Sequence, residues 1–153
     1  MLHTYEVRQA TIEDLEPLTE LFDQYRVFYE QATDLNGARA FLFERLEHQE
    51  SVLFIVQHIE SGKLAGFTQL YPIFSSVSMK RVYLLNDLYV HESYRKQGIA
   101  QLLLDQAQRY AKRMRAKGLE LATALDNLEA QRLYERCGYT RDEQFCHYYR
   151  SAD

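Results

Sequence analysis

Six consecutive residues, Arg95-Lys96-Gln97-Gly98-Ile99-Ala100, carry the clearest chemistry in this chain. They stand between an apolar run, Tyr83 to Val90, and a stretch in which Ile99, Leu103, Ala107, Tyr110 and Met114 recur at three- and four-residue steps. The first predicts a buried strand, the second an amphipathic helix. A strand that turns through glycine into a helix presents free backbone N–H groups at the positive end of a helix dipole. That geometry suits a pyrophosphate, and Arg95 and Lys96 add charge beside it. Alone, those two side chains read as solvated loop charges, so the backbone is the expected ligand. Other reactive side chains carry less. Cys137 and Cys146 read as small apolar residues, with no histidine partner evident in sequence. His3, His48, His58, His91 and His147 have no metal-ligand spacing, and no metal is expected.

The elements that must hold this turn follow from pattern. Tyr5 to Arg8 predicts a first strand. Thr11 and Asp14 form a capping-box pair ahead of a helix with Ile12, Leu15, Leu18, Phe22 and Tyr25 on one face. Pro17 falls in its second turn, where it distorts the helix or delays its start. Asp34 caps a second helix with Ala38, Leu42 and Leu46 inward, and Phe41 and Phe43 widen its apolar face. Val52 to His58 is apolar enough to be buried on both faces. Glu60-Ser61-Gly62-Lys63 is a hairpin turn into Leu64 to Tyr71, and Pro72 to Met79 is a loop or strand extension. Lys80 to Val90 is the central strand. The helix from Gly98 ends near Lys117 with Gly118 at its C-cap. Leu119 to Thr123 alternates as a strand, Asn127 caps a short helix that Gly138 stops, and Tyr139–Arg141 and Phe145–Arg150 read as final strands. Strands and helices in this order predict a mixed α/β sheet.

The 153 residues fit one domain, 1–153, and no linker or repeat divides them. An apolar share of 46% supports a real core. A net charge of −4 argues against nucleic acid as a partner. Two cysteines are too few for a disulfide framework, and the N-terminus has no long apolar leader. No run reaches membrane-spanning length. The expectation is a soluble cytoplasmic protein.

The glycine turn, the preceding Asn-Asp-Leu-Tyr-Val, and the later Asn127, Ala130 and Leu133-Tyr134-Glu135-Arg136-Cys137-Gly138-Tyr139 together resemble the GNAT superfamily of N-acetyltransferases. The turn matches its pyrophosphate motif, Gln or Arg, two residues, Gly, one residue, Gly or Ala. One such pattern is a weak signal; three in order over the chain make a strong one. Tyr83 to Gly98 is most similar to the small members acting on polyamines and on histone or other lysine amines. The resemblance implies a single-domain GNAT-like sheet, mixed but mainly antiparallel, splayed, and flanked by about four helices. It implies acetyl-CoA as donor and a small amine or protein lysine as acceptor. The backbone of Leu88, Tyr89 and Val90 would hold the acetyl and pantetheine end. Arg95, Lys96, Gln97, Gly98, Ile99 and Ala100 would hold the pyrophosphate, Asn127 the pantetheine, and Tyr134 would face the sulfur. Small relatives also suggest a homodimer, through the aromatic edge segment Phe145–Arg150.

Acetyl transfer to an amine requires a base, an oxyanion donor and an acid. A lysine-like ammonium titrates near pH ~10.4, so the nucleophile is masked at neutral pH. Asp87 is the candidate base, though Asn86 stands where polyamine enzymes carry a first carboxylate, and strand alternation points Asp87 away from Leu88's face unless a bulge intervenes. A backbone N–H of Tyr89 or Val90 serves the oxyanion. The Tyr134 phenol, with a pKa of ~10 against ~8.5 for a thiol, serves as acid. The aromatic cluster Phe22, Tyr25, Phe28 and Tyr29 reads mostly as core and partly as acceptor wall. The competing reading, prompted by Asn86, is an inactive acetyl-CoA-binding sensor or assembly module.

Overall fold

The computed structural model describes residues 4–153, which leaves His3 outside the described residues. The chain divides into two compact units, one ending at Ala122 and one running Thr123–Asp153.

In the first unit the strands are β1 (Tyr5–Gln9), β2 (Val52–His58), β3 (Leu64–Ser75), β4 (Lys80–Val90) and β5 (Leu119–Glu120). They lie in sequence order in one sheet. β1 to β4 are antiparallel, and β5 joins β4 in parallel at Tyr83↔Leu119 and Leu84↔Glu120. Past Leu84, β4 has no ladder partner on its β5 side among the described residues, which is the splayed edge expected of it. The expected strand Leu119–Thr123 is therefore shorter than its alternation suggested.

Helices cover both faces. On one lie α1 (Leu15–Phe28) and α2 (Leu35–Glu47), and their Leu18, Leu21, Phe22, Ala38 and Leu42 pack on Leu53, Ile55 and Phe67 of the sheet. On the other lies α3 (Ile99–Arg113), whose Tyr110 ring meets Phe54 and Tyr83. Alternate residues of β2 thus bury on opposite faces, and Leu53 through Val56 are all within 1% of full burial.

Local chemistry sets the helix ends. Thr11 and Asp14 complete the expected capping box, but around a single 3₁₀ turn, Ile12–Asp14. α1 begins only at Leu15, so Pro17 occupies its first turn, where no backbone donor is required. Ile12, expected inward, is 49% exposed because it sits in that 3₁₀ turn. The Asp34 side chain accepts from Gly37 N–H at 2.9 Å and caps α2. α3 stops at Arg113, earlier than expected. Arg115, not Gly118, takes the left-handed conformation, while Arg115 N–H donates to Lys112 O and Ala116 N–H to Ala111 O. Gly118 instead leads into β5, its carbonyl accepting from Tyr83 N–H at 3.1 Å.

In the second unit α4 (Leu128–Arg136) starts at Asn127, whose side chain accepts from Ala130 N–H at 3.2 Å, and ends at Gly138, with φ 93°. The expected strands Tyr139–Arg141 and Phe145–Arg150 do not form: residues 139–153 carry no helix or strand. Phe145, Tyr148 and Tyr149 are exposed, so their apolar character does not mark a ladder. None of the described helices is long and apolar enough to cross a membrane.

Candidate active site

The site is organised by a bulge in β4. Gln69 of β3 faces Asp87 while its neighbour Leu70 faces Leu85, leaving Asn86 as the extra residue. Tyr83, before the bulge, packs on Tyr110 of α3. Asp87, after it, is turned to the α1 face, where Tyr25 donates its hydroxyl proton to Asp87 Oδ1 at 2.7 Å. A regular strand would have aimed Asp87 at α3. This bulge precedes Asp87, so Asp87 and Leu88 still alternate to opposite faces, and it gives β4 a different lining on either side of it.

Asp87 is 5% exposed, and both carboxylate oxygens are engaged. Oδ1 accepts from Tyr25 and from Asn86 Nδ2 (3.1 Å); Oδ2 accepts from Gln69 Nε2 at 2.7 Å. Gln69 is fully buried and in turn accepts from Ser51 Oγ at 2.7 Å. Burying a charge requires such partners. Their presence here builds a polar line, Ser51–Gln69–Asp87–Tyr25, through an otherwise apolar sheet. Burial first, and the Asp87 charge second, push the Tyr25 phenol well above its ordinary value. The same causes push Tyr71 up to about 12.

Around Tyr25 the rings are packed edge to face: Phe67 at 5.5 Å, Tyr89 at 5.8 Å and Tyr29 at 5.1 Å between centroids. Phe28 and Tyr29 are more than half exposed, so this cluster is as much a wall as a core. Arg95 belongs to that wall. Its Nε donates to Val90 O at 3.0 Å, and its guanidinium lies over Phe28 at 5.3 Å and Tyr89 at 5.6 Å. The Arg95 side chain is thereby committed to the end of β4.

The turn itself is propped from beneath. Tyr5 of β1 donates to Gln97 Oε1, and Tyr5, His58 and Tyr94 pack ring to ring. His91 caps the 3₁₀ turn Glu92–Tyr94 by accepting from Ser93 N–H, a loop role as expected. Gly98 is the α3 N-cap at φ 81° and supplies no side-chain cap. Lys96, Gln97 and Gly98 are exposed, Ile99 is buried and anchors the helix, and Ala100 is half-buried. Lys96 makes no ion pair among the described residues. An uncapped helix start with an exposed lysine beside it fits a pyrophosphate group.

Leu88, Tyr89 and Val90 stay paired with Thr68, Phe67 and Gly66 of β3. Val90 O is taken by Arg95, and Tyr89 O lies against Gly66. In the second unit the Asn127 side-chain oxygen is spent on capping α4. Tyr134 is half-buried, its ring 6.0 Å from that of Tyr139. Burial pushes Tyr139 up to about 12, and its hydroxyl has no hydrogen-bond partner among the described residues.

Gln69, Ser51 and Gly66 were missing from the sequence reading, and Tyr25 entered it only as core and wall. A glutamine inside the apolar run Leu64–Tyr71 was the available signal. Among the described residues, no group of His, Cys, Asp or Glu could hold a metal ion. A separate cavity of about 510 Å³, lined by Gln9, Gln49, Ser51, Arg81, Tyr83 and Tyr110 among others, contains none of the expected site residues.

The α/β sheet with its bulged, splayed β4 and glycine-started α3 defines an acetyltransferase of the GNAT class: residues 15–139 match the Acetyltransferase (GNAT) family, and the chain belongs to it. It is 51% identical over 142 residues to the uncharacterized N-acetyltransferase YhfO of Bacillus subtilis strain 168, over 93% of this chain and 94% of that one. A crystal structure of a probable acetyltransferase is 40% identical with a TM-score of 0.93, over 97% of this chain and 98% of that one. The aminoglycoside N-acetyltransferase AAC(6')-Iy, solved with CoA, shares the fold at 21% identity and a TM-score of 0.79, over 97% and 95%. The chain is an acyltransferase of the N-acetyltransferase type.

Proposed function

We propose that the chain moves an acetyl group from acetyl-CoA to a primary amine by direct attack, both substrates being bound together. The observation that carries this is the uncapped, exposed start of α3 at Gly98, placed at the end of the strand that buries Asp87. Bound acetyl-CoA would supply the activated acyl group. Backbone N–H groups from Gly98 onward, with Lys96, would bind its pyrophosphate. The backbone of Leu88, Tyr89 and Val90 would orient the acyl end, an N–H of Tyr89 or Val90 serving the developing oxyanion. Tyr134 is the acid we assign to the leaving thiolate, and Asn127 the residue beside the pantetheine, both on the family motif. Residues 1–153 then work as one N-acetyltransferase domain.

The acceptor is a polyamine, another small amine or a protein lysine. Structures sharing the fold include one named as an aminoglycoside acetyltransferase and one named as a ribosomal-protein-alanine acetyltransferase, so the fold itself does not choose. Neither Cys137 nor Cys146 is in a disulfide, in keeping with a cytoplasmic location. A homodimer is part of the proposal and is checked by light scattering, where a monomer mass at micromolar concentration rejects it. The test of function is calorimetry with acetyl-CoA, then thiol release with spermidine, kanamycin and a lysine peptide. Binding plus release with one of them supports transfer. The fully engaged Asp87 and the Asn86 beside it favour the second reading, a CoA-binding module without catalysis. Binding without release from any amine supports that one.

A further inference from the structure

We propose that the acceptor amine meets Tyr25, not Asp87, and that Asp87 receives the amine's proton through the Tyr25 hydroxyl. This rests on the acetyltransferase reading above. Asp87 cannot reach a substrate directly: it is 5% exposed, and its oxygens already accept from Tyr25, Asn86 and Gln69. Tyr25 is half-buried and belongs to the aromatic wall that Phe28 and Tyr29 carry out to solvent. Its ring is clamped by Phe22, Phe67 and Tyr89, so its hydroxyl has one position, on Asp87 Oδ1.

The step balances. An ammonium N–H bond breaks and its proton forms a new O–H bond on Tyr25. The original Tyr25 O–H bond breaks and that proton forms an O–H bond on Asp87 Oδ1. The amine keeps the freed electron pair and Asp87 becomes neutral. When product leaves, the same two transfers run backward to water. Tyr25 must stay a phenol between turnovers, and its surroundings hold it so. Asp87 and Tyr89 of β4, Tyr71 of β3 and Tyr29 of α1 surround it, and burial among them disfavours the phenolate. Two cations act on this cluster at one remove, Arg95 on Tyr89 and Phe28, and Arg45 on Tyr71. Tyr25 is a carrier of the proton, with Asp87 as its destination.

Tyr25→Phe keeps the ring and deletes the carrier. With whichever of spermidine, kanamycin or a lysine peptide the wild type acetylates, kcat/KM at pH 7 should fall about 100-fold, within the range for a lost acid–base group. The deficit should shrink about tenfold per pH unit toward the amine's own pKa, since solution then supplies the free base. Acetyl-CoA affinity should be unchanged. A deficit constant with pH, or none, overturns the relay and leaves acetyl transfer standing. A wild type that binds acetyl-CoA but acetylates none of the three also overturns the relay. Failure to bind acetyl-CoA overturns the parent reading. Should Tyr25→Phe not fold, the wild-type rate in mixed H₂O and D₂O decides: two protons in flight give a curved dependence on deuterium fraction, and a straight line refutes the relay.

Discussion

A Cβ added to Gly66 would stand 2.8 Å from the carbonyl oxygen of Tyr89, 3.1 Å from Ile99 Cγ2 and 3.4 Å from Leu103 Cδ1. Gly66 of β3 is thus where the end of β4 and the first turn of α3 close on one point. The residue that would be pushed is backbone, which cannot rotate away. Gly66→Ala should cost about 1–3 kcal/mol, as overpacking in a filled core does. It should also weaken acetyl-CoA binding, because Ile99 sets the start of α3. Unchanged thermal stability would show that β4 yields at Tyr89 without strain.

Arg95 and Lys96 are neighbours with different work. Arg95 is tied to Val90 O and two rings, whereas Lys96 is exposed and has no ion pair among the described residues. Lys96→Ala should raise the Kd for acetyl-CoA several-fold with no loss of melting temperature. Arg95→Ala should lower stability by about 1–2 kcal/mol, from one charged hydrogen bond and a cation–π contact. Calorimetry and thermal melts on both variants check this, and reversed effects would exchange the roles.

Asp14 is held by two Arg8 donors at 2.7 and 2.8 Å and by Thr11 N–H at 2.8 Å. The Arg8 hydrogen bonds chiefly hold its carboxyl below the ordinary 3.8. A lowered folded pKa means the stabilisation is complete above the ordinary value and is lost as pH falls through the folded one. Asp14→Asn should cost about 2 kcal/mol at pH 7. Denaturant melts between pH 5 and pH 2 should show a shallower acid decline for the variant than for the wild type.

Three half-buried phenols act at the other end of the scale. Tyr71 and Tyr139 are pushed up to about 12, mainly by burial, and Tyr25 is raised further. The fold favours the neutral phenol, so its stabilisation is complete below the ordinary value of about 10 and is lost as pH rises above it. Melting temperature should be flat to about pH 10 and then fall. Tyr71→Phe removes one titrating group and should flatten that fall. An identical alkaline slope in the variant would take Tyr71 out of the account.

Much of this could be read from residue order. Helix period, capping residues and the glycine turn are local, since each depends on contacts within a few positions. Hence α1, α2, α3 and α4, the capping roles of Thr11, Asp34 and Asn127, and the glycine turn at Gly98 were legible in the sequence, although Thr11 caps the 3₁₀ turn ahead of α1. Family membership followed from three short motifs in order. Apolar content alone failed where an element needs a partner strand, as at Phe145–Arg150. Glycine's preference for helix ends also misled, because Arg115 took the left-handed position that Gly118 was expected to hold.

The fold placed what lies far apart in the chain. A bulge is a mismatch between two strands, so neither strand announces it alone, yet the one at Asn86 decides which face Asp87 joins. The 2.7 Å bond between Tyr25 and Asp87 spans 62 positions and arises because α1 crosses β4 there. Local residue types specified the glycine turn. Packing of distant elements decided that Asp87 would be buried and would accept hydrogen bonds from Tyr25, Asn86 and Gln69.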